Sequence, residues 1–134
     1  KMNDEIRKSE LDATTRYDLH TRLDGMPKHT KLCHGDFNPK NIIISQDGTP
    51  FILDWSHASV GNASADVAQT YLQFSMGEYR DDAERYLNLF CKMNDVTKRY
   101  VTKWIPIVAA SQLIRCKPEE KPFLMKWVES IREA

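Results

Sequence analysis

The sequence predicts an α+β fold, mainly helical, with one short β-hairpin set among helices. Two observations carry this. Residues 42–53 hold two short apolar runs, Ile42-Ile43-Ile44-Ser45-Gln46 and Thr49-Pro50-Phe51-Ile52-Leu53, on either side of Asp47-Gly48. Asp-Gly between such runs is the strongest short-range hairpin signal a sequence offers. On both sides of that segment, apolar residues recur at helical spacing.

The elements follow in order. Ile6, Leu11, Tyr17, Leu19 and Leu23 predict one or two helices ending near Asp24-Gly25, where glycine and the following Pro27 supply a stop. After the hairpin, a helix is expected over Ala65–Phe74 with Ser64 as N-cap. Another is expected over Asp81–Met93. Val96–Cys116 reads as a longer apolar helix, kinked or broken at Pro106. Pro122–Ala134 closes the chain, with Leu124, Trp127, Val128 and Ile131 on one stripe.

Composition narrows the function classes. A chain of 134 residues suits one compact domain, and its 41% hydrophobic and 28% charged residues are ordinary for a globular protein. Nineteen basic residues balance nineteen acidic ones, so no broad basic field is available to hold nucleic acid. The apolar runs are far too short to span a bilayer, and no signal peptide opens the chain. Cys33, Cys91 and Cys116 are odd in number and far apart, which fits free thiols in a reducing cytoplasm rather than a disulfide framework. The chain starts at Lys1 instead of methionine, as a trimmed piece of a longer protein would.

The chemistry concentrates in His34-Gly35-Asp36-Phe37-Asn38-Pro39-Lys40-Asn41 and Ile52-Leu53-Asp54-Trp55. Phosphoryl transfer needs a carboxylate near the attacking hydroxyl and metal ligands that neutralise the phosphates. Asp36 and Asn41, five apart in a loop, match a base and a Mg²⁺-binding amide, with Asp54 as second ligand. A two-residue Asp47-Gly48 turn sets a ladder of 46/49, 45/50, 44/51, 43/52 and 42/53, and then places Asn41 opposite Asp54. Directly opposed side chains stand about 4.5–5.5 Å apart at Cβ, close enough to share one hard cation. The same register puts Pro50 at a non-hydrogen-bonded pair, where its missing N–H breaks no rung.

HGDFNPKNIII, then ILDW, then Gly61-Asn62-Ala63-Ser64-Ala65-Asp66-Val67-Ala68 resemble the HGDxxxxN, hydrophobic-Asp and GxxxxDxA signatures of aminoglycoside phosphotransferases and choline kinase-like enzymes. Detailed resemblance covers residues 31–72. It implies a protein-kinase-like fold and transfer of the γ-phosphate of ATP or GTP to the hydroxyl of a small-molecule alcohol substrate. It implies Asp36 as catalytic base and Asn41 and Asp54 as Mg²⁺ ligands. His34 is implied to brace the loop containing Asp54, and Asp66 to fix the catalytic loop from a helix start. Asn38 takes the place of a phosphate contact that is lysine in protein kinases and usually basic or imidazole in the small-molecule kinases. Trp55-Ser56 after Asp54, and the lack of an APE-like segment, separate the sequence from protein kinases.

Glycines at 25, 35, 48, 61 and 77 cannot make a GxGxxG loop, and no lysine sits in a VAIK context. The expectation is therefore a single C-terminal catalytic lobe over 1–134, with an N-terminal nucleotide-binding lobe lying outside this chain. Blander roles are expected elsewhere. Ser56 and His57 read as lining residues rather than parts of a triad. Tyr71, Phe74, Tyr79, Tyr86, Trp104 and Trp127 read as core. Glu78, Asp81, Asp82 and Glu84 read as a solvated helix start. A non-catalytic binding or scaffold module descended from such kinases is the alternative, opposed by the intact Asp36/Asn41/Asp54 set. The residues that would bind the acceptor substrate are not identifiable from pattern.

Overall fold

The computed structural model describes residues 1–29, 31–55, 58–77 and 80–132. These form six α-helices and two two-stranded antiparallel ribbons. In chain order they are α1 (Met2–Lys8), α2 (Ala13–Gly25), β1 (Lys31–Cys33), β2 (Ile42–Ile44), β3 (Pro50–Ile52), β4 (Ser59–Gly61), α3 (Ala63–Met76), α4 (Arg80–Asn94), α5 (Lys98–Gln112) and α6 (Lys121–Glu129). No helix among the described residues is long and apolar enough to cross a membrane. Ser56, His57, Glu78 and Tyr79 lie outside the described residues.

α5 is the hub. Its stretch from Trp104 to Ser111 is buried throughout, and it packs against α3 and α6 while also touching α1, α2 and α4. Ile105, Ile107 and Ala109 have no exposed surface, because apolar residues occupy every side of this helix rather than one stripe. The helix runs through Pro106 without the break that was one of the two expected outcomes there. It ends at Gln112, so Cys116 falls beyond it. Leu124, Val128 and Ile131 seat α6 and the 3₁₀ turn Ser130–Arg132 on this core, with Trp127 packed beside them.

α3 starts earlier than expected. Asn62, not Ser64, is the N-cap: its side-chain oxygen accepts from the N–H groups of Ser64 at 2.8 Å and Ala65 at 3.3 Å. Its amide nitrogen donates to the Pro27 carbonyl at 3.1 Å and the Tyr100 hydroxyl at 2.9 Å. Asn62 thus caps the helix with its oxygen while its two amide hydrogens tie the cap to the Pro27 carbonyl and to Tyr100.

The β1–β4 ribbon is an element that sequence pattern did not reveal. Lys31, Leu32 and Cys33 pair with Gly61, Val60 and Ser59. Everything from His34 to Ala58 is therefore an excursion from one narrow ribbon, and β4 runs directly into the cap of α3. The start of α3 is thereby held beside His34.

The hairpin is present, but its register differs from the expected one. Ser45 N–H donates to the Thr49 carbonyl at 2.9 Å and Gly48 N–H to the Ser45 carbonyl at 2.9 Å, which closes a three-residue loop, Gln46-Asp47-Gly48. Ile42 faces Ile52, Ile43 faces Phe51, and Ile44 faces Pro50. Leu53 N–H then donates to the Asn41 carbonyl at 2.7 Å, so Asn41 stands opposite Leu53 and not Asp54. The reason is conformational. A two-residue turn of the usual hairpin type needs positive φ at both central residues. The three-residue loop asks it only of Gly48, at φ 86°, and leaves Asp47 outside the left-handed region. Ile43, Ile44, Phe51, Ile52 and Leu53 are all exposed, on both faces of the hairpin.

Candidate active site

The site grows from the loop that follows β1. Gly35 has φ 88°, a conformation that side-chain-bearing residues adopt only under strain, and it turns the chain sharply between His34 and Asp36. Asp66, one turn into α3, takes both backbone donors of this turn. Its Oδ2 accepts from His34 N–H at 3.0 Å and its Oδ1 from Gly35 N–H at 2.9 Å. The carboxylate thus binds a neighbouring loop rather than its own helix start.

His34 is buried and joins three pieces of chain. Its Nδ1 accepts from Asp36 N–H at 3.1 Å, so that nitrogen carries no proton. The proton therefore sits on Nε2, which donates to the Leu53 carbonyl at 2.8 Å. Leu53 precedes Asp54, so the imidazole ties the Asp36 loop to the segment carrying Asp54. Trp55 stacks at a tilt on the imidazole, ring centroids 4.6 Å apart.

Asp36 is surrounded by carboxamides. Oδ1 accepts from Asn38 Nδ2 and Gln73 Nε2, each at 3.0 Å, and Oδ2 accepts from Asn41 Nδ2 at 3.1 Å. Asn41 Nδ2 also donates to the Asp36 carbonyl at 2.8 Å. With its nitrogen committed, Asn41 keeps Oδ1 as the atom suited to a cation. Asn38 donates both to the Asp36 carbonyl and to its carboxylate, while its own oxygen accepts from Lys40 N–H. The donor expected for a phosphate is thus directed at Asp36. Asp54, at φ 54°, adopts a left-handed conformation immediately after the ladder ends.

Three residues that pattern reading missed complete the arrangement. Gln69 Nε2 donates to the Gly35 carbonyl at 2.7 Å, and Thr70 Oγ1 to the Phe37 carbonyl at 2.8 Å. With Asp66 and Gln73 they form a polar stripe at i, i+3, i+4 and i+7 on α3, opposite the buried Val67, Ala68 and Leu72. That spacing was the available signal. A hollow of about 550 Å³ opens beside the loop, lined by Gly35, Asp36, Asp66, Gln69, Gln73 and Arg115 among others. A second, of about 670 Å³, is lined by Leu11, Leu113, Met125 and Arg132 and contains none of these site residues.

The aromatics expected in the core are there where described: Phe74 and Tyr86 meet edge to face, as do Tyr71 and Trp127. Burial pushes the Tyr86 phenol up to about 12, helped by the negative charge of Asp66. Burial and the adjoining Glu84 push Tyr71 to about 12 as well. Glu84 is held below its ordinary value by Lys98 at 2.6 Å and by the Tyr71 hydroxyl, so it links three helices rather than facing a ligand. Cys33 is buried, and that burial raises its thiol. All three cysteines are free.

Asn41 and Asp54 offer hard oxygen donors of the kind Mg²⁺ takes, and their chemistry fits that ion. Among the described residues no group of three His, Cys, Asp or Glu side chains clusters as a closed metal site. Such a closed cage would suit a structural metal rather than one shared with phosphates. A sequence model of the phosphotransferase enzyme family (APH) matches residues 3–100. No match was found among curated proteins or solved structures.

Proposed function

Because the chain belongs to the phosphotransferase enzyme family, we propose that it is the catalytic lobe of a Mg²⁺-dependent kinase with a protein-kinase-like fold, acting on a small-molecule alcohol. The observation that carries this reading is the caged carboxylate. Asp36 is fixed by three carboxamides, on a loop that Asp66 and His34 hold in place. A solvated surface aspartate needs no such support, since water would satisfy its oxygens without any of these donors.

In this proposal Asp36 accepts the proton of the acceptor hydroxyl as its oxygen bonds to the γ-phosphorus, and the bond to the departing nucleoside diphosphate breaks. Asn41 Oδ1 and the Asp54 carboxylate would hold Mg²⁺, which would supply neutralisation of phosphate charge. ATP or GTP is the donor. The residues of this chain contribute mainly orientation: the loop arrives with its base already placed, so little entropy is lost on reaching the reactive geometry. The exposed apolar hairpin supports a further part of the proposal. Ile43 and Phe51 on one face, with Ile44 and Ile52 on the other, are the surfaces that a nucleotide-binding lobe would cover.

The test uses the full-length protein with Mg²⁺ and ATP or GTP, over a panel of amino-alcohols, sugars and aminoglycosides. Nucleotide consumption should depend on one class of alcohol and fall by at least a hundredfold in Asp36→Ala. Equal rates in the two proteins would remove the assignment of Asp36 and, with it, the catalytic reading over the scaffold alternative.

A further inference from the structure

Gln73 is arranged in a way that helix packing does not explain. It lies two turns beyond Asp66 on the polar stripe of α3, and its Nε2 donates to Asp36 Oδ1 at 3.0 Å. Its Oε1 is buried with no hydrogen-bond partner among the described residues. The orientation of the amide is not arbitrary, since a carboxylate only accepts and the flipped amide would set oxygen against oxygen. A buried carbonyl without a donor is costly, and each such group calls for an explanation.

The count of lone pairs at Asp36 shows what Gln73 does. Each carboxylate oxygen offers two acceptor sites. Among the described residues, Oδ1 receives Asn38 and Gln73 and is filled, while Oδ2 receives Asn41 alone. We propose that Gln73 is a positioning residue for phosphoryl transfer: by filling Oδ1 it fixes the carboxylate plane and makes Oδ2 the atom that takes the acceptor's proton. This rests on Asp36 being the base. As the acceptor oxygen bonds to the γ-phosphorus and the bond to the nucleoside diphosphate breaks, the hydroxyl proton passes to the remaining lone pair of Oδ2. Gln69 and Thr70 hold the loop through its backbone; among these α3 residues, Gln73 is the one that touches the carboxylate.

A packing role and a positioning role predict different outcomes. Gln73→Met keeps the length of the side chain and removes both the donor and the orphaned oxygen. In the full-length protein, its melting temperature should stay within about 2 °C of the wild type or rise. With Mg²⁺–ATP or Mg²⁺–GTP and a panel containing choline, glycerol and ribose, its kcat should fall roughly tenfold to a hundredfold. KM for the nucleotide should stay within about twofold, because binding of the ground state does not involve Gln73. A Met variant with wild-type kcat, or one whose nucleotide KM rises in step with its loss of kcat, overturns the proposal while leaving Asp36 as base. A wild type that consumes nucleotide no faster than Asp36→Ala overturns both together.

Discussion

Exchanging Asp66 for asparagine tests the joint between α3 and the loop that carries Asp36. The side chain keeps its size but loses one of two acceptor oxygens. In the native protein Oδ1 serves Gly35 N–H at 2.9 Å and Oδ2 serves His34 N–H at 3.0 Å. An asparagine serves one of them and turns an NH₂ toward the other. A charge-assisted hydrogen bond contributes about 1.5–3 kcal/mol, and an unsatisfied backbone donor costs about 1–3 kcal/mol. Asp66 is only half-buried, so water relieves part of this and a net loss of about 2–3 kcal/mol is expected. For a domain of this length that corresponds to a fall in melting temperature of about 7–10 °C, measurable by calorimetry. The loss should appear equally in the urea midpoint with an unchanged slope. Nucleotide turnover should fall at least tenfold, since the loop carrying Asp36 is no longer pinned. An Asp66→Asn protein that melts within 2 °C of wild type and turns over normally would show that these hydrogen bonds neither hold the loop nor matter to it.

Three other outcomes are expected. Asp54→Asn should keep its melting temperature within about 2 °C, because asparagine tolerates the left-handed backbone better than most residues, while Mg²⁺-dependent turnover falls by at least a hundredfold; retained turnover would remove Asp54 from the metal set. At alkaline pH the two raised phenols, Tyr71 and Tyr86, each at about 12, favour folding while they remain protonated. Their contribution is intact below pH 10, where unfolded tyrosine still holds its proton, and is lost as pH climbs to about 12. Phenolate absorbance followed through unfolding should show Tyr86→Phe flattening that decline, and an unaltered slope would contradict the burial argument. Finally, Ile42→Cys with Ile52→Cys should oxidise readily to a disulfide, since this is a directly facing, non-hydrogen-bonded pair. Ile42→Cys with Leu53→Cys should not, as non-reducing electrophoresis would show; the reverse result would restore the two-residue turn.

The helices were legible because their apolar stripes are long enough to show a period. Leu124, Val128 and Ile131 announce both the element and the face it buries. The β1–β4 ribbon was not legible. Three residues a side is too short for alternation to register, and its strands are separated by the long excursion that carries Asp36. That omission hid the second half of the site. Gln69, Thr70 and Gln73 stand at the right spacing from Asp66, but alone they read as ordinary polar residues on a half-buried helix. They become site residues only because the ribbon sets the N-terminus of α3 against His34. Asp66 was recognised through its motif; its neighbours needed the tertiary contact.

The hairpin shows how mutually consistent signals can select the wrong register. Pro50 sits at a non-hydrogen-bonded pair in the ladder as found, flanked by the bonded pairs 45/49 and 43/51. It does so in the two-residue alternative too, so the proline could not separate them. What separates them lies in the loop. The Ser45 hydroxyl donates to the Asp47 carboxylate, as does Thr49 N–H at 3.0 Å, and together Ser45 and Thr49 draw that carboxyl down to about 2. Those bonds favour the longer loop, and only Gly48 is left to adopt positive φ. The one-residue shift then changes what the ladder delivers. Leu53 becomes the terminal rung, giving its N–H to Asn41 and its carbonyl to His34. The hairpin is thereby fastened to Asn41 and to His34, the two ends of the loop that carries Asp36, through one residue without polar side-chain chemistry. Under our proposal the carboxylate that meets the cation is consequently aimed by the left-handed backbone of Asp54 just past that rung. A ladder would place it wherever strand pairing dictates. A single strained residue, locked between Leu53 and Trp55 by the imidazole they both contact, can place it independently of the strands.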